Sequence, residues 1–277
     1  MVNSPIAILG CGYIGMEAAA LWHKKGHFVT ATTRAPERLS ELSQVAQKSL
    51  IFKGDDEETL VSLIAANDTL LVSIAADCPE QYEAAYLQTA KLFRHLALEM
   101  EMPRQLIYLG STSVYGDYKG LWVDEQSELR AKSDQAKILI ETENTYLSLN
   151  ELGWTVCAFR LAEIYGPGRE LSKRVQHCEG HLMPGSGEQY TNMIHKTDCV
   201  GAIDYAMRHH LEGVFNLADD DHPTRKALYD AISHKFQLPL VRWDPHLTGL
   251  HSGNKRVSNH TIRKEGLVLR HPHRLLD

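Results

Sequence analysis

Short apolar runs alternate along the chain with longer amphipathic stretches, the pattern of βαβ units on a parallel sheet. Ile6 to Leu9 predicts a first strand, glycines follow, and a helix runs from about Ile14 to Lys25. Gly26 closes that helix as a C′ glycine does. A second strand covers about Phe28 to Thr32, and Pro36 stands where a first helical position is expected. A third strand, Leu50 to Phe52, runs into Gly54-Asp55, and a fourth covers Thr69 to Ile74. From near Pro79 a long helix carries Tyr82, Tyr86, Phe93 and Leu96 at helical spacing. The fifth strand, Gln105 to Leu109, feeds Gly110-Ser111-Thr112-Ser113; a helix from about Asp134 to Leu152 then leads to the sixth, Thr155 to Phe159.

Beyond the sixth strand the regular alternation loosens. The stretch from Tyr165 to Tyr190 is rich in glycine and proline, a helix follows at about Asp198 to Arg208, and a strand at Val214 to Leu217. A further helix lies near Arg225 to Phe236, and the end of the chain is irregular and basic. No internal repeat or low-complexity tract interrupts this order. The prediction is an α/β chain: a Rossmann-type doubly wound parallel sheet with a small C-terminal substrate lobe. Residues 1–165, continued by about 192–220, make the dinucleotide-binding core; 166–191 and 221–277 make the lobe, expected over the strands' C-terminal edge where open α/β sheets bind ligands.

Composition narrows the function classes. The 277 residues suffice for a sizeable core, and 43% apolar with 23% charged residues excludes disordered, collagenous and coiled-coil chains. A net charge of −6 argues against broad contact with nucleic acid or anionic lipid. Apolar runs such as Leu70 to Ala76 fall far short of the ~20 residues of a membrane helix. No basic, apolar leader opens the chain, so a soluble cytoplasmic protein is expected. The cysteines at 11, 78, 157, 178 and 199 form no CxxC pair and read as reduced thiols, mostly core. His177 and His181 stand four apart, but Gly180 lies between them and no zinc motif follows, so no metal site is expected.

Gly10-Cys11-Gly12-Tyr13-Ile14-Gly15 is GxGxxG, directly after a strand and opening a helix, the context that makes it a dinucleotide-binding turn. The first glycine permits the turn, the second lets pyrophosphate approach, and the third lets helix and strand pack closely. The helix N-terminus offers its free N–H groups to the phosphates. At the end of the second strand, where NAD sites place a carboxylate, the chain reads Thr33-Arg34-Ala35-Pro36. Arg34 suits a 2′-phosphate, so NADP is expected, with NAD as the alternative. Asp55 could touch the adenine or cap the next helix. Tyr13, Ile14, the strand end Ser73-Ile74-Ala75, and Ile164 complete the expected cofactor contacts.

Tyr108-Leu109-Gly110-Ser111-Thr112-Ser113-Val114-Tyr115-Gly116-Asp117 resembles the strand-five motif of extended short-chain dehydrogenases and sugar-nucleotide epimerases. Arg160-Leu161-Ala162-Glu163-Ile164-Tyr165-Gly166-Pro167-Gly168-Arg169 resembles their strand-six motif. His195-Lys196-Thr197-Asp198 is similar to the His-x-x-Asp that opens a late helix, and Val214-Phe215-Asn216-Leu217 to their last core strand. The glycine spacing and short length are those of atypical members of the NAD(P)-dependent epimerase/dehydratase group. The resemblance implies catalysis by Ser/Thr with Tyr-x-x-x-Lys. Ser111 fits the serine slot, but the following helix reads Ser133-Asp134-Gln135-Ala136-Lys137: the lysine is present and a serine stands for the tyrosine. A serine hydroxyl is shorter and far less acidic than a phenol, so it does not replace the acid directly; Ser133 also reads as an N-cap. Tyr115 and Lys119 scan as Tyr-x-x-x-Lys too, but the intervening glycine keeps them off one helical face.

The catalytic candidates are therefore Ser111, Lys137, Tyr115 and Ser133. Glu163 could serve as a buried acid or base; His195 could carry a proton in the pocket or, as expected, pack beside the late helix that Asp198 caps. Lys255-Arg256 could meet an anionic group or form a solvated basic turn. The expected function is an NADP(H)-binding oxidoreductase or epimerase/dehydratase-like enzyme on a small hydroxyl or carbonyl compound, with nucleotide sugars included. The alternative is a non-catalytic, redox-sensing NADP(H)-binding module. A small-molecule substrate is the expected partner, without nucleic acid or membrane, in a monomer or homodimer.

Overall fold

In the computed structural model, residues 4–102, 104–247 and 253–277 are described. Strands β1 (Pro5–Leu9), β2 (Phe28–Thr33), β3 (Lys48–Ile51), β4 (Thr69–Val72) and β5 (Gln105–Ser111) form wherever an apolar run meets a turn residue. After β6 (Trp122–Val123), β7 (Thr155–Leu161) and, later, β11 (Gly213–Leu217) complete one seven-stranded sheet in the order β3-β2-β1-β4-β5-β7-β11. β1 pairs in parallel with β2 and β4, with Ile8 opposite Ala31 on one side and Leu71 on the other. The chain moves outward from β1 to β3 and then returns to place β4 on β1's free edge. That reversal is the switch point at which such sheets bind ligands.

Both faces of the central strands are covered, so β1 is uniformly apolar rather than alternating: Ile6 to Leu9 have no exposed surface. Helix α1 (Tyr13–Lys24) ends as expected, with Gly26 at φ 87° and its N–H on the His23 carbonyl. α2 (Leu39–Leu42) follows a 3₁₀ turn over Pro36–Arg38, and α3 (Glu57–Ala66) precedes β4. The helix expected from Pro79 is not uniform. A 3₁₀ turn, Pro79–Gln81, leads into a π-helical stretch, Glu83–Gln88, and only then into α4 (Thr89–Met100). The Thr89 hydroxyl donates to the Ala84 carbonyl at 3.3 Å, five residues back, which fits the wider turn. α5 (Asp134–Leu147) likewise tightens into a 3₁₀ turn, Ser148–Leu152, before Gly153 in the left-handed region.

The chain divides into two compact units: Met1–Ser111 with Ser133–Arg160 and Val200–Val214, and Thr112–Lys132 with Leu161–Cys199 and Phe215–Asp277. The first packs Phe93 edge-on against Tyr146 and Trp154, with Tyr108 beside Tyr146. A buried ion pair, Arg160 Nη2 to Glu143 Oε1 at 2.6 Å, ties α5 to β7 there.

In the second unit β8 (Glu163–Tyr165), α6 (Leu171–Gln176), β9 (Leu182–Pro184) and β10 (Met193–His195) precede α7 (Lys196–His209), which begins in this unit and ends in the other. α8 (Arg225–Phe236), β12 (Arg242–Asp244), β13 (Arg256–Val257) and α9 (His260–Lys264) follow β11. Three short parallel pairs, β8–β10, β9–β12 and β6–β13, replace an extended sheet. Tyr165, Leu171, Leu228, Tyr229 and Ile232 form this unit's own core. Among the described residues no helix is long and apolar enough to cross a membrane.

Candidate functional site

The glycine turn after β1 assigns each glycine a distinct task. Gly10 sits at φ 87°, and a Cβ there would stand 2.8 Å from the Ile74 Cα, so both backbone conformation and space require glycine. Its N–H donates to Thr32 Oγ1 at 3.0 Å, while the Cys11 N–H donates to the Thr32 carbonyl at 2.7 Å. A Cβ on Gly15 would lie 2.8 Å from the Gly10 carbonyl oxygen, which lets α1 press against the turn. A Cβ on Gly12 would meet nothing within 4 Å. Gly12 is the N-cap of α1, without a side-chain cap or an acidic residue in the first turn. That end of α1 therefore presents unneutralised positive charge beside open space, a ready site for an anion.

A cavity of about 930 Å³ opens at this turn and lies wholly within the first unit. Its volume sits at the upper end of the roughly 300–1,000 Å³ range of ligand sites. Of the expected cofactor contacts, Gly10, Gly12, Thr33, Arg34, Asp55, Ser73, Ile74 and Ala75 line it. Tyr13, Ile14 and Gly15 are not among its lining residues, and Ile164 belongs to the other unit, paired with Ile194 between β8 and β10. Asp55 does not cap α3; Asp56 does, accepting the Thr59 N–H at 3.0 Å.

Arg34 donates through Nη2 to Asp77 Oδ2 at 2.9 Å and to the Ala75 carbonyl at 3.2 Å, and remains 43% exposed. A second guanidinium, that of Arg38, also lines the cavity. The 3₁₀ turn after Pro36 brings its Nη1 to the Cys11 carbonyl at 3.0 Å, with Nε on Glu41 at 3.1 Å. Its spacing from Arg34 could have singled it out, but a standard helix there would have been the default. Ala84, Ala85, Gln88 and Thr89, from the π-helical stretch and its junction with α4, also line the cavity, and nothing in the sequence marks that stretch. Burial pushes the Cys11 thiol up to about 12, so it is a neutral wall group and not a nucleophile.

The catalytic candidates are held differently. Ser111 ends β5. Ser133 caps α5, its Oγ accepting the Ala136 N–H at 3.3 Å. One turn on, Lys137 Nζ pairs with Asp134 at 3.0 Å and is 61% exposed. Tyr115, in the second unit, is fully buried and donates its hydroxyl to Asn216 Oδ1 at 2.7 Å. Asn216 Nδ2 in turn donates to the Ser258 carbonyl at 3.0 Å. Glu163 is half exposed and paired with Arg174 at 2.5 Å, so it is no buried acid.

Asp198 does not cap its helix. Its two carboxylate oxygens accept the backbone N–H groups of Arg270 and His271, at 2.6 and 3.0 Å, fastening the C-terminal segment. His195 does pack there, its ring 4.2 Å from that of His271, and one potential ligand atom each of His195, Asp198 and His271 lies within 4.8 Å of the others. With both oxygens of Asp198 engaged and His195 Nδ1 on Thr197 Oγ1 at 2.8 Å, the cluster is organised as a tie for the chain end.

Residues 6–218 match the family described as NAD dependent epimerase/dehydratase. No curated protein matches the chain. Among solved structures, a functionally unknown conserved protein from Silicibacter pomeroyi is 25% identical, with a TM-score of 0.81 over 98% of this chain and 95% of that one. A UDP-N-acetylglucosamine 4-epimerase from Methanobrevibacter ruminantium, in complex with UDP-N-acetylmuramic acid, is 17% identical, with a TM-score of 0.80 over 97% and 94%. A dTDP-glucose 4,6-dehydratase from Bacillus anthracis, in complex with NAD, is 16% identical, with a TM-score of 0.77 over 95% and 90%. The last two likenesses speak to the fold alone.

Proposed function

We propose, since the chain belongs to the NAD dependent epimerase/dehydratase family, that it is an NADP(H)-dependent oxidoreductase or epimerase-like enzyme acting on a small hydroxyl or carbonyl compound. The observation that carries this reading is the glycine turn itself: an uncapped α1 N-terminus beside open space at Gly12, in a cavity large enough for a dinucleotide. The pyrophosphate would rest on the Gly12 end of α1, and the nicotinamide would supply hydride donor or acceptor chemistry when bound. NADP is preferred over NAD because two guanidinium groups, Arg34 and Arg38, line the cavity past β2 where a ribose-binding carboxylate would otherwise stand. Nucleotide sugars, named with one of the similarly folded proteins, are the first substrate class to test.

In this reading Ser111 orients the substrate oxygen and Lys137, released from its exposed partner Asp134, binds the nicotinamide ribose. Tyr115 supports the loop after β5 rather than donating a proton, because its hydroxyl hydrogen is committed to Asn216. A second reading, a redox-sensing module without turnover, is favoured by one observation: the serine in the tyrosine slot is occupied as the cap of α5. The test is NADPH oxidation over a panel of aldehydes, ketones and nucleotide sugars, in wild type and Ser133→Tyr. The substitution removes a cap contribution of about 1 kcal/mol. A tyrosine four residues before Lys137 shares its helical face, so the enzyme reading expects turnover to change from a measurable wild-type rate. Background turnover in both proteins, with NADPH still bound, would leave the module. The proposed setting is the cytoplasm, as a monomer or homodimer.

A further inference from the structure

Lys255 and Arg256 stand together at the start of β13, yet the second unit treats them in opposite ways. Arg256 is spoken for: its guanidinium lies 5.0 Å from the Trp122 ring centroid and 4.8 Å from that of Tyr190, and its Nε donates to the Gly120 carbonyl at 3.0 Å. Lys255 is only 9% exposed, and among the described residues its Nζ makes a single hydrogen bond, 3.2 Å to the Gly116 carbonyl. An ammonium carries three N–H donors, so most of its donor capacity has no acceptor among the described residues. No carboxylate pairs with it there, and residues 1–3, 103 and 248–252 contain no Asp or Glu. The acidic group that acts on it, Asp117, already accepts the N–H groups of Asn254 and Lys119, at 2.9 and 3.0 Å.

The backbone holds this ammonium in place. The Asn254 carbonyl accepts the N–H groups of Tyr118 and Gly120, both at 2.9 Å, and Asn192 bridges the Lys255 carbonyl and the Val257 N–H at 2.9 and 2.7 Å. A Cβ on Gly253 would lie 2.5 Å from the Gly116 carbonyl oxygen, so the two segments are in direct contact. Removing a charge from water without a partner is strongly unfavourable, and burial lowers the lysine's pKa accordingly. Merely covering the Gly116 carbonyl would need only a neutral donor. The carbonyl belongs to the loop that leaves Ser111 and carries Tyr115.

We propose that the buried Lys255 ammonium anchors an anionic group of the substrate, a carboxylate or a phosphoryl oxygen, beside the loop 112–116. This rests on the reading that the protein is an NADP(H)-dependent enzyme acting on a small-molecule substrate. Arg256 holds Trp122 and Tyr190 in place and leaves the anion to Lys255.

The experiment follows thermal unfolding of wild type, Lys255→Met and Lys255→Arg with sodium acetate, inorganic phosphate or UDP, against sodium chloride at equal ionic strength. A ligand that binds only the folded state raises Tm in proportion to its affinity. At least one probe should stabilise wild type saturably, bind roughly tenfold or more weakly to Lys255→Met, and be retained by Lys255→Arg. Acetate alone assigns a carboxylate, phosphate alone a phosphoryl group, and UDP well above phosphate a nucleoside diphosphate. Lysine acetylation mapped by mass spectrometry on wild type repeats the test without a variant: the effective probe should protect Lys255. No stabilisation beyond chloride with no protection, or equal stabilisation of all three proteins, overturns the proposal. NADPH fluorescence titration runs alongside; its failure in wild type overturns the cofactor reading, whatever the anion result.

Discussion

The turn after β1 and the loop after β5 both leave the C-terminal end of a sheet strand, but they are stabilised in different ways. The first takes its shape from its own glycines: Gly10 in the left-handed region, Gly15 against the Gly10 carbonyl, Gly12 on open space. The second is shaped by distant partners: Asn216 on the Tyr115 hydroxyl, Asn254 on the N–H groups of Tyr118 and Gly120, Lys255 on the Gly116 carbonyl. A site built from local conformation can be read from a short motif. A site built from long-range hydrogen bonds can vary its chemistry while leaving no motif behind.

That contrast can be broken most severely at the tie that holds the second unit's tail. Arg274 clamps Asp219 with both Nε and Nη2, at 2.9 and 2.8 Å, and both side chains are almost wholly buried. Arg274→Ala leaves the Asp219 carboxylate without its cation, and the expected loss is about 3–5 kcal/mol in urea unfolding. NADPH affinity of the protein that remains folded should be unchanged; a parallel loss would show that the glycine turn depends on the second unit.

The reverse experiment is Gly12→Ala. The added methyl meets no atom of the described residues within 4 Å, so stability should change by no more than the cap difference, about 1 kcal/mol or less. It occupies the space assigned to pyrophosphate, so NADPH and NADH should both weaken by roughly tenfold or more, about 1.4 kcal/mol, in fluorescence titration. Unchanged affinity would remove the turn from its proposed role. Arg34→Ala sharpens the same point by ligand: NADPH should weaken about tenfold while NADH is nearly unaffected. Equal losses would mean that Arg34 serves the loop through Asp77 and Ala75 rather than a 2′-phosphate.

The smallest effect is a pH dependence expected from the second unit. Burial pushes the pKa of His195 below 6.5, the neighbouring His271 acts in the same direction, and Asp198 opposes them; burial also lowers that of His222. Both imidazoles are therefore held neutral in the fold, while the unfolded chain binds protons below about 6.5. Their stabilisation is complete above that value and is lost as pH falls through it toward the folded pKa. Asp219, whose carboxyl burial pushes up to about 6, and His273, raised by Asp221, act in the opposite sense, so the test is the difference: between about pH 7.5 and 5.5, Tm should fall less, or rise more, in His195→Gln than in wild type. An unchanged slope would assign the acid sensitivity elsewhere.

Much of the fold was legible because sheet strands and the glycine turn are local events: an apolar run, a glycine, a proline at the start of a turn. Strand ends shifted by one or two residues, as at β7, because hydrogen-bond partners rather than hydropathy set them. The helix after Pro79 concealed its π-helical stretch because its residues are ordinary helix formers; the wider turn accompanies Thr89, which also packs against Gly54. Asp198 read as a cap because its carboxylate stands in the first turn of α7, yet its partners are the N–H groups of Arg270 and His271, some seventy residues away.

By itself the sequence determined the parallel sheet, the glycine turn and the lack of a carboxylate at the end of β2, because each depends on residue identity over a few neighbouring positions. Only the tertiary structure decided that Ser133 caps α5, that Tyr115 is committed to Asn216, and that of two adjacent cations Arg256 is stacked while Lys255 is buried with one hydrogen bond among the described residues. Those outcomes turn on which donors and acceptors meet across long stretches of chain, and on how much water is excluded when they do. Neither quantity is a property of any residue in its own sequence context.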